Sequence, residues 1–267
     1  MLASASAALA GSTSARALAQ RTLRVCADPN NLPFSNRRLE GFENRLAALV
    51  ARELGERVEY TWWPQRRGFL RRTLEAGRCD VVMGVPSNMP GVLTTRPYYR
   101  STYVFVTRAG SRAEPRSFDD PVLRTLRIGV HFTGGENPPP ATALARRGLA
   151  RNIASYSIYG DYRQAAPPAR LIEAVARGAV DVAVAWGPLA GYFARRQHPP
   201  LRLTAAPAFD TRTGEPMTFA IAMAVRPGDR ARRDALDRIL TRRAREIQAL
   251  LTSYGVPLVE EPVAESR

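Results

Sequence analysis

Residues 77–86 read GRCDVVMGVP, and residues 178–188 read GAVDVAVAWGP. Each has a glycine, two residues, an aspartate, an unbroken apolar run, and then a glycine and a proline. An apolar run of this length between turn residues predicts a strand buried on both faces, as in the middle of a parallel sheet. The chain before each run alternates in the same way. In the first block LRVCA (23–27), RVEYTWW (57–63) and CDVVMGV (79–85) read as strands. Between them lie an amphipathic helix, LEGFENRLAALVARELG (39–55), and a short helix, QRRGFLRRTLEAG (65–77). Phe42, Leu46, Leu49, Val50 and Leu54 fall near helical spacing in the first helix, and Gly55 supplies its stop. Phe69, Leu70 and Leu74 point inward in the second. This β-α-β-α-β order implies a parallel sheet with helices on both sides. STYVFVTR (101–108) adds a strand, and the polar stretch 108–121 ends the block.

The pattern then begins again. LRIGV (126–130), NIASYSIY (152–159) and VDVAVAW (180–186) are strands. The helices run from Pro139 or Pro140 to Arg147, over ARLIEAVARG (169–178), and over GPLAGYFARR (187–196). The repetition predicts two similar α/β sheets in series. A late strand, FAIAMAVRPGD (219–229), and a long helix, 231–255, follow. The helix carries one stripe of Leu236, Ile239, Leu240, Ile247, Leu250 and Leu251. These extra elements point to a chain that returns to complete its first lobe. The expected fold is α/β and two-lobed, each lobe a mostly parallel sheet flanked by helices, with a cleft between. Lobe 1 comprises 20–107 plus 214–267, and lobe 2 comprises 108–213.

At 267 residues the chain is long enough for two lobes with substantial cores. Hydrophobic residues make up 45% and charged residues 24%, which suits a soluble globular protein. No stretch approaches the roughly 20 apolar residues of a membrane helix. Residues 1–19, Ala/Ser-rich and ending in Ala17-Leu18-Ala19, read as the remnant of a secretory signal, with a disordered tail as the alternative. All 39 basic residues are arginine, and the net charge is +15. The arginines are spread along the chain among acids, and no nucleic-acid module is present, which argues against nucleic acid as a partner. A basic surface does suit an acidic protein partner. Cys26 and Cys79 have no neighbouring ligands at metal spacing. In an oxidising compartment they favour a disulfide with each other; two buried free thiols are the alternative.

In open parallel sheets ligands bind beyond the carboxyl ends of the strands. That rule selects Asp28, Asn30, Asn31 and Phe34 after the first strand, Trp63, Gln65 and Arg66 after the second, and Gly84 and Pro86 after the third. From the second block it selects Thr133, Gly134, Asp161 and Trp186. Aromatics, amides and a carboxylate at such ends describe a binding cleft. Asp28 reads equally well as a turn cap. One of Trp62 and Trp63 belongs to the core, and Trp186 reads equally well as packing. The chain has two histidines, His131 and His198, and no nucleophile elbow, phosphate loop or His-Glu-x-x-His. GVHFTGGE lacks the Gly-x-Gly-x-x-Gly spacing. No catalytic residue, cofactor or metal is expected.

The strand-ended Asp-Pro with Pro-Phe beyond it, GFENRLAALVARELG, and the Asp-apolar-Gly strands together resemble type II periplasmic solute-binding proteins, solute-binding family 3, over roughly 22–255. The longer runs RVCADPNNLPFSN, EYTWWPQRRGFLRRTL, LTTRPYYRSTYVFV, YGDYRQ and VAWGPLAGYF are similar to its quinoprotein-dehydrogenase-associated MoxJ/XoxJ-type subgroup. The resemblance implies a periplasmic location and a two-lobed fold. It also implies an accessory role beside a PQQ-dependent methanol or alcohol dehydrogenase or its cytochrome c. The alternative it implies is a receptor that delivers a small non-amino-acid solute to an ABC permease. An enzyme like the cyclohexadienyl dehydratases is the least favoured reading, since no acid/base set is evident. Amino-acid binders of this family hold the ligand carboxylate with an arginine just past the third strand, where this chain reads PSNMPGV. They hold the ammonium with an aspartate where this chain has Trp186. Both anchors are absent from the sequence, and a free amino acid would leave its charges unpaired.

Overall fold

A computed structural model describes residues 21–132, 137–158, 162 and 165–260. The signal remnant read in 1–19 lies outside the described residues. The strands are β1 (Thr22–Ala27), β2 (Asn30–Asn31), β3 (Ser35–Asn36), β4 (Arg57–Trp62), β5 (Val81–Pro86), β6 (Leu93–Thr94), β7 (Tyr99–Arg108), β8 (Ile128–Phe132), β9 (Ile153–Ser157), β10 (Val182–Trp186), β11 (Leu201–Ala205) and β12 (Thr218–Val225). The helices are α1 (Phe42–Leu54), α2 (Phe69–Arg72), α3 (Pro139–Ala145), α4 (Ala169–Ala176), α5 (Gly187–Ala194), α6 (Arg230–Arg242) and α7 (Ala244–Ser253).

The main strands follow the order β4-β1-β5-β12-β7-β10-β8-β9, with β6 on β12 and β11 on β7. Both β4 and β5 lie parallel to β1, and both β9 and β10 lie parallel to β8. β7 and β12 run antiparallel between these two groups. Tyr99–Thr102 of β7 pair with β12, while Tyr103–Thr107 pair with β10. One strand therefore serves both half-sheets.

Each half-sheet has its own core. Leu23, Val25, Phe42, Leu46, Val81 and Met83 pack with Met223, Leu236 and Leu251 on one side. Val106, Leu171, Ile172, Ala183 and Leu189 form a second cluster, and Phe105, Leu123, Ile128, Leu144 and Val184 a third. Burial of these apolar groups is the main favourable term in folding.

The quoted repeat has a physical reason. In the first block Asp80 accepts from the backbone N–H of Arg24 at 3.3 Å, and the Arg24 side chain reaches both the Asp80 carboxylate and the Gly77 carbonyl. In the second block Asp181 accepts from the Arg127 N–H at 2.8 Å, and Arg127 donates to the Gly178 carbonyl at 3.1 Å. Both aspartates also return their own N–H to the facing arginine's carbonyl. Gly-x-x-Asp thus locks the start of each buried strand onto the arginine of the neighbouring Leu-Arg.

Two helices differ from expectation. The stretch 65–77 forms only the single turn of α2. Gly68 enters it at φ 82°, and Phe69 and Leu74 are drawn down onto the Cys26–Cys79 pair. The long helix 231–255 breaks at Arg243 (φ −104°, ψ 15°) into α6 and α7. Its apolar stripe has a gap between Leu240 and Ile247, and the break brings Arg242 and Arg243 onto the single carboxylate of Glu53 at 2.7 and 2.6 Å. Cys26 and Cys79 are joined as a disulfide, with Cα atoms 5.6 Å apart.

Candidate functional site

Where the two half-sheets meet, a cavity of about 310 Å³ opens between them. This is at the lower end of the range for small-molecule sites. Three strands bring three rings to it. Tyr103 of β7, Trp186 at the end of β10 and Phe219 of β12 stand edge to face, with centroids 5.4, 5.9 and 6.4 Å apart. The first loop adds Asn31 and Phe34, the loop after β4 adds Gln65, and the end of β5 adds Gly84, Val85 and Pro86. Tyr99 and Ile221 extend the wall along β7 and β12, and Ile158 and Leu189 come from the second half.

Among the described residues one carboxyl lines the cavity, and it belongs to no ion pair: Glu43. The start of α1 sets its place. Asn44 Oδ1 accepts from the N–H groups of Asn36 and Gly41, at 3.1 and 3.2 Å, which pins the first turn of the helix against β3. Glu43 then projects along the buried face of α1, against Gly84. A Cβ at position 84 would overlap its Oε1, so the glycine makes room for the carboxyl. Glu43 is 7% exposed. Burial raises its carboxyl to about 8, and the neighbouring Asp28 carboxylate adds to the effect. Asn31 Oδ1 is buried without a hydrogen-bond partner, while its Nδ2 donates weakly to Gln65 at 3.4 Å. Burial also raises the phenols beside the cavity, Tyr103 to about 12 and Tyr99 well above the ordinary value. They stay protonated.

Asp28 lies behind this wall. It is 1% exposed and accepts from Asn30 N–H at 2.8 Å, Gln65 N–H at 2.7 Å and Tyr162 O–H at 3.1 Å. Burial raises its carboxyl, and these three donors work against the shift. It therefore orders the loops that carry Asn31 and Gln65 and ties in Tyr162 from the second block.

Of the residues expected from strand ends, Asn31, Phe34, Gln65, Gly84, Pro86 and Trp186 come together around the cavity. Asp28 and Asn30 form the supporting turn. Trp63 packs on the disulfide cluster beneath the guanidinium groups of Arg72 and Arg78, 5.9 and 5.5 Å from its ring. Arg66 is exposed. Thr133, Gly134 and Asp161 lie outside the described residues. The strand-end rule did not select Glu43, Tyr99, Tyr103, Phe219 and Ile221. A signal for most of them was present. Glu43 precedes Leu46 and Val50 on the same helical stripe, an acid on an inward face. Tyr99 and Tyr103, like Phe219 and Ile221, share a face by the alternation of a strand.

The chain matches the family of bacterial extracellular solute-binding proteins, family 3, over residues 23–256, and it belongs to that family. It is 35% identical to Protein MoxJ of Methylorubrum extorquens over 251 residues, 89% of this chain and 82% of that protein. It is 31% identical to Protein MoxJ of Paracoccus denitrificans over 258 residues, 91% of each chain. The crystal structure of the periplasmic binding protein XoxJ from Methylobacterium extorquens AM1 superposes with a TM-score of 0.73 at 34% identity, covering 90% of this chain and all of that one. The two-lobed α/β architecture expected from the repeat is therefore the periplasmic-binding-protein fold. Among the described residues no helix is long and apolar enough to cross a membrane.

Proposed function

We propose that the protein is a periplasmic accessory component of a PQQ-dependent methanol or alcohol dehydrogenase system, acting by binding rather than by catalysis. The observation that carries this is the near full-length likeness to MoxJ and XoxJ, the subgroup that its motifs resemble. The lobes are taken as 20–107 with 214–267, and 108–213. The surface supports a protein partner. Arg66, Arg67, Arg71, Arg72 and Arg78 are exposed, and none takes part in an ion pair among the described residues. Such a cluster speeds encounter with an acidic surface and loses that advantage in salt.

The test is sedimentation of the purified protein with the purified dehydrogenase of the same organism. A complex is expected at low salt and should weaken at high salt. Replacing Arg66, Arg67 and Arg71 together by glutamate should weaken it at low salt. The absence of any complex at low salt, with both proteins folded, would overturn the reading.

A further inference from the structure

Among the described residues the cavity carries an acid without a basic partner. Its described lining includes Glu43 and no arginine or histidine, in a chain of 39 arginines with a net charge of +15. Glu43 is 7% exposed and Asn31 6%. No hydrogen bond from a described residue reaches the Glu43 carboxyl, and Asn31 Oδ1 has no partner. Both groups are acceptors on the same wall. A buried acceptor without a donor is costly, and a buried charge more so, unless a counterpart arrives. The rest of the wall is aromatic, and ring faces attract cations most strongly where water is excluded.

We propose that this cavity binds a small organic ammonium ion that carries no carboxylate of its own, held by the Glu43 carboxylate, Asn31 Oδ1 and the rings of Tyr103, Trp186 and Phe219. An anion would face Glu43 with Asp28 behind it. A neutral ligand would leave Glu43 protonated and draw nothing from its charge. An amino acid would bring a carboxylate to a described wall that offers it no basic side chain. The inference goes beyond the accessory role and does not depend on it.

Binding is linked to pH. Ionisable groups around Glu43 are Asp28, from the end of β1, and Tyr60, Tyr98 and Tyr99, from β4 and the start of β7. Burial raises all three phenols, so they remain neutral; burial also raises the Asp28 carboxyl, and its three donors oppose that shift. Below about pH 8 a bound cation must therefore displace the Glu43 proton. Affinity for a permanent cation rises with pH up to that point.

Calorimetric titration of the full chain tests this with choline, with butylammonium, and with 3,3-dimethylbutan-1-ol, the neutral counterpart of choline. Both cations should bind, and the neutral alcohol at least about tenfold more weakly. Choline affinity should rise about tenfold from pH 6 to pH 7. Glu43→Gln, with its fold checked by its melting transition, should abolish the preference and the pH dependence together. Tyr103→Leu should weaken choline binding and keep the pH dependence. Equal binding of the alcohol, an unchanged affinity in Glu43→Gln, or no heat with either cation at millimolar concentration would each overturn the proposal. The titration contains no dehydrogenase, so its failure leaves the accessory reading standing.

Discussion

Replacing Glu43 by glutamine should make the protein more stable, and increasingly so as the pH rises. The carboxyl is raised from 4.5 in the unfolded chain to about 8 in the folded one. Between those values the folded state holds a proton that the unfolded state has lost. Stability is therefore full below pH 4.5 and falls as the pH climbs toward 8. The span of about 3.5 units corresponds to roughly 5 kcal/mol at about 1.4 kcal/mol per unit. About 1 kcal/mol of this is already lost at pH 5, about 3 at pH 7 and nearly all of it at pH 9. Glutamine keeps the shape and cannot ionise, so the variant lacks this slope. Urea unfolding of both proteins at pH 5, 7 and 9 should show the gap between them widening by about 4 kcal/mol. A gap that stays constant within about 1 kcal/mol across that range would refute the account of Glu43 as a desolvated acid.

Reducing the Cys26–Cys79 bond, which closes a separation of 53 residues, should cost roughly 4 kcal/mol and lower the urea midpoint; an unmoved midpoint would contradict this. His131 is buried, with Nε2 3.2 Å from the Pro168 carbonyl, and burial lowers it to about 4. The unfolded chain takes up that proton first, so stability should fall by roughly 3 kcal/mol as the pH drops from 6.5 to 4, and the ring resonance in NMR should titrate near the lower value. Gly84→Ala drives a methyl into the Glu43 carboxyl and should cost about 1–3 kcal/mol in thermal or urea unfolding; a neutral effect would mean that the carboxyl sits elsewhere.

The half-sheets were legible because their central strands are buried on both faces and so read as unbroken apolar runs. The Gly-x-x-Asp that precedes each run stands beside a Leu-Arg in both blocks, and the structure explains the pairing through Arg24 with Asp80 and Arg127 with Asp181. The site was half legible. Phe34, Gln65, Gly84, Pro86 and Trp186 lie at carboxyl ends of parallel strands or in the loops that follow, where the topological rule looks. Tyr103 and Phe219 sit within antiparallel strands, which have no such end at the cleft, so only their alternation marks them. Glu43 was concealed because an acid on a helix is ordinarily solvated. What sets it apart is that Leu46 and Val50 share its stripe, which becomes meaningful only once α1 is seated against Gly84. The break at Arg243 depends on Glu53, almost 200 residues away in sequence, and no local pattern encodes it.

β7 belongs to both half-sheets along its ten residues. Melting either half strips partners from a strand on which the other half is built, and neither side can shed β7 without exposing its own edge. The halves are therefore expected to unfold in one cooperative transition, and damage to the core behind Trp186 should be read in hydrogen exchange as lost protection of amides in the sheet around Tyr99. A connection made from a loop would leave two separable modules; a connection made from a shared strand couples them.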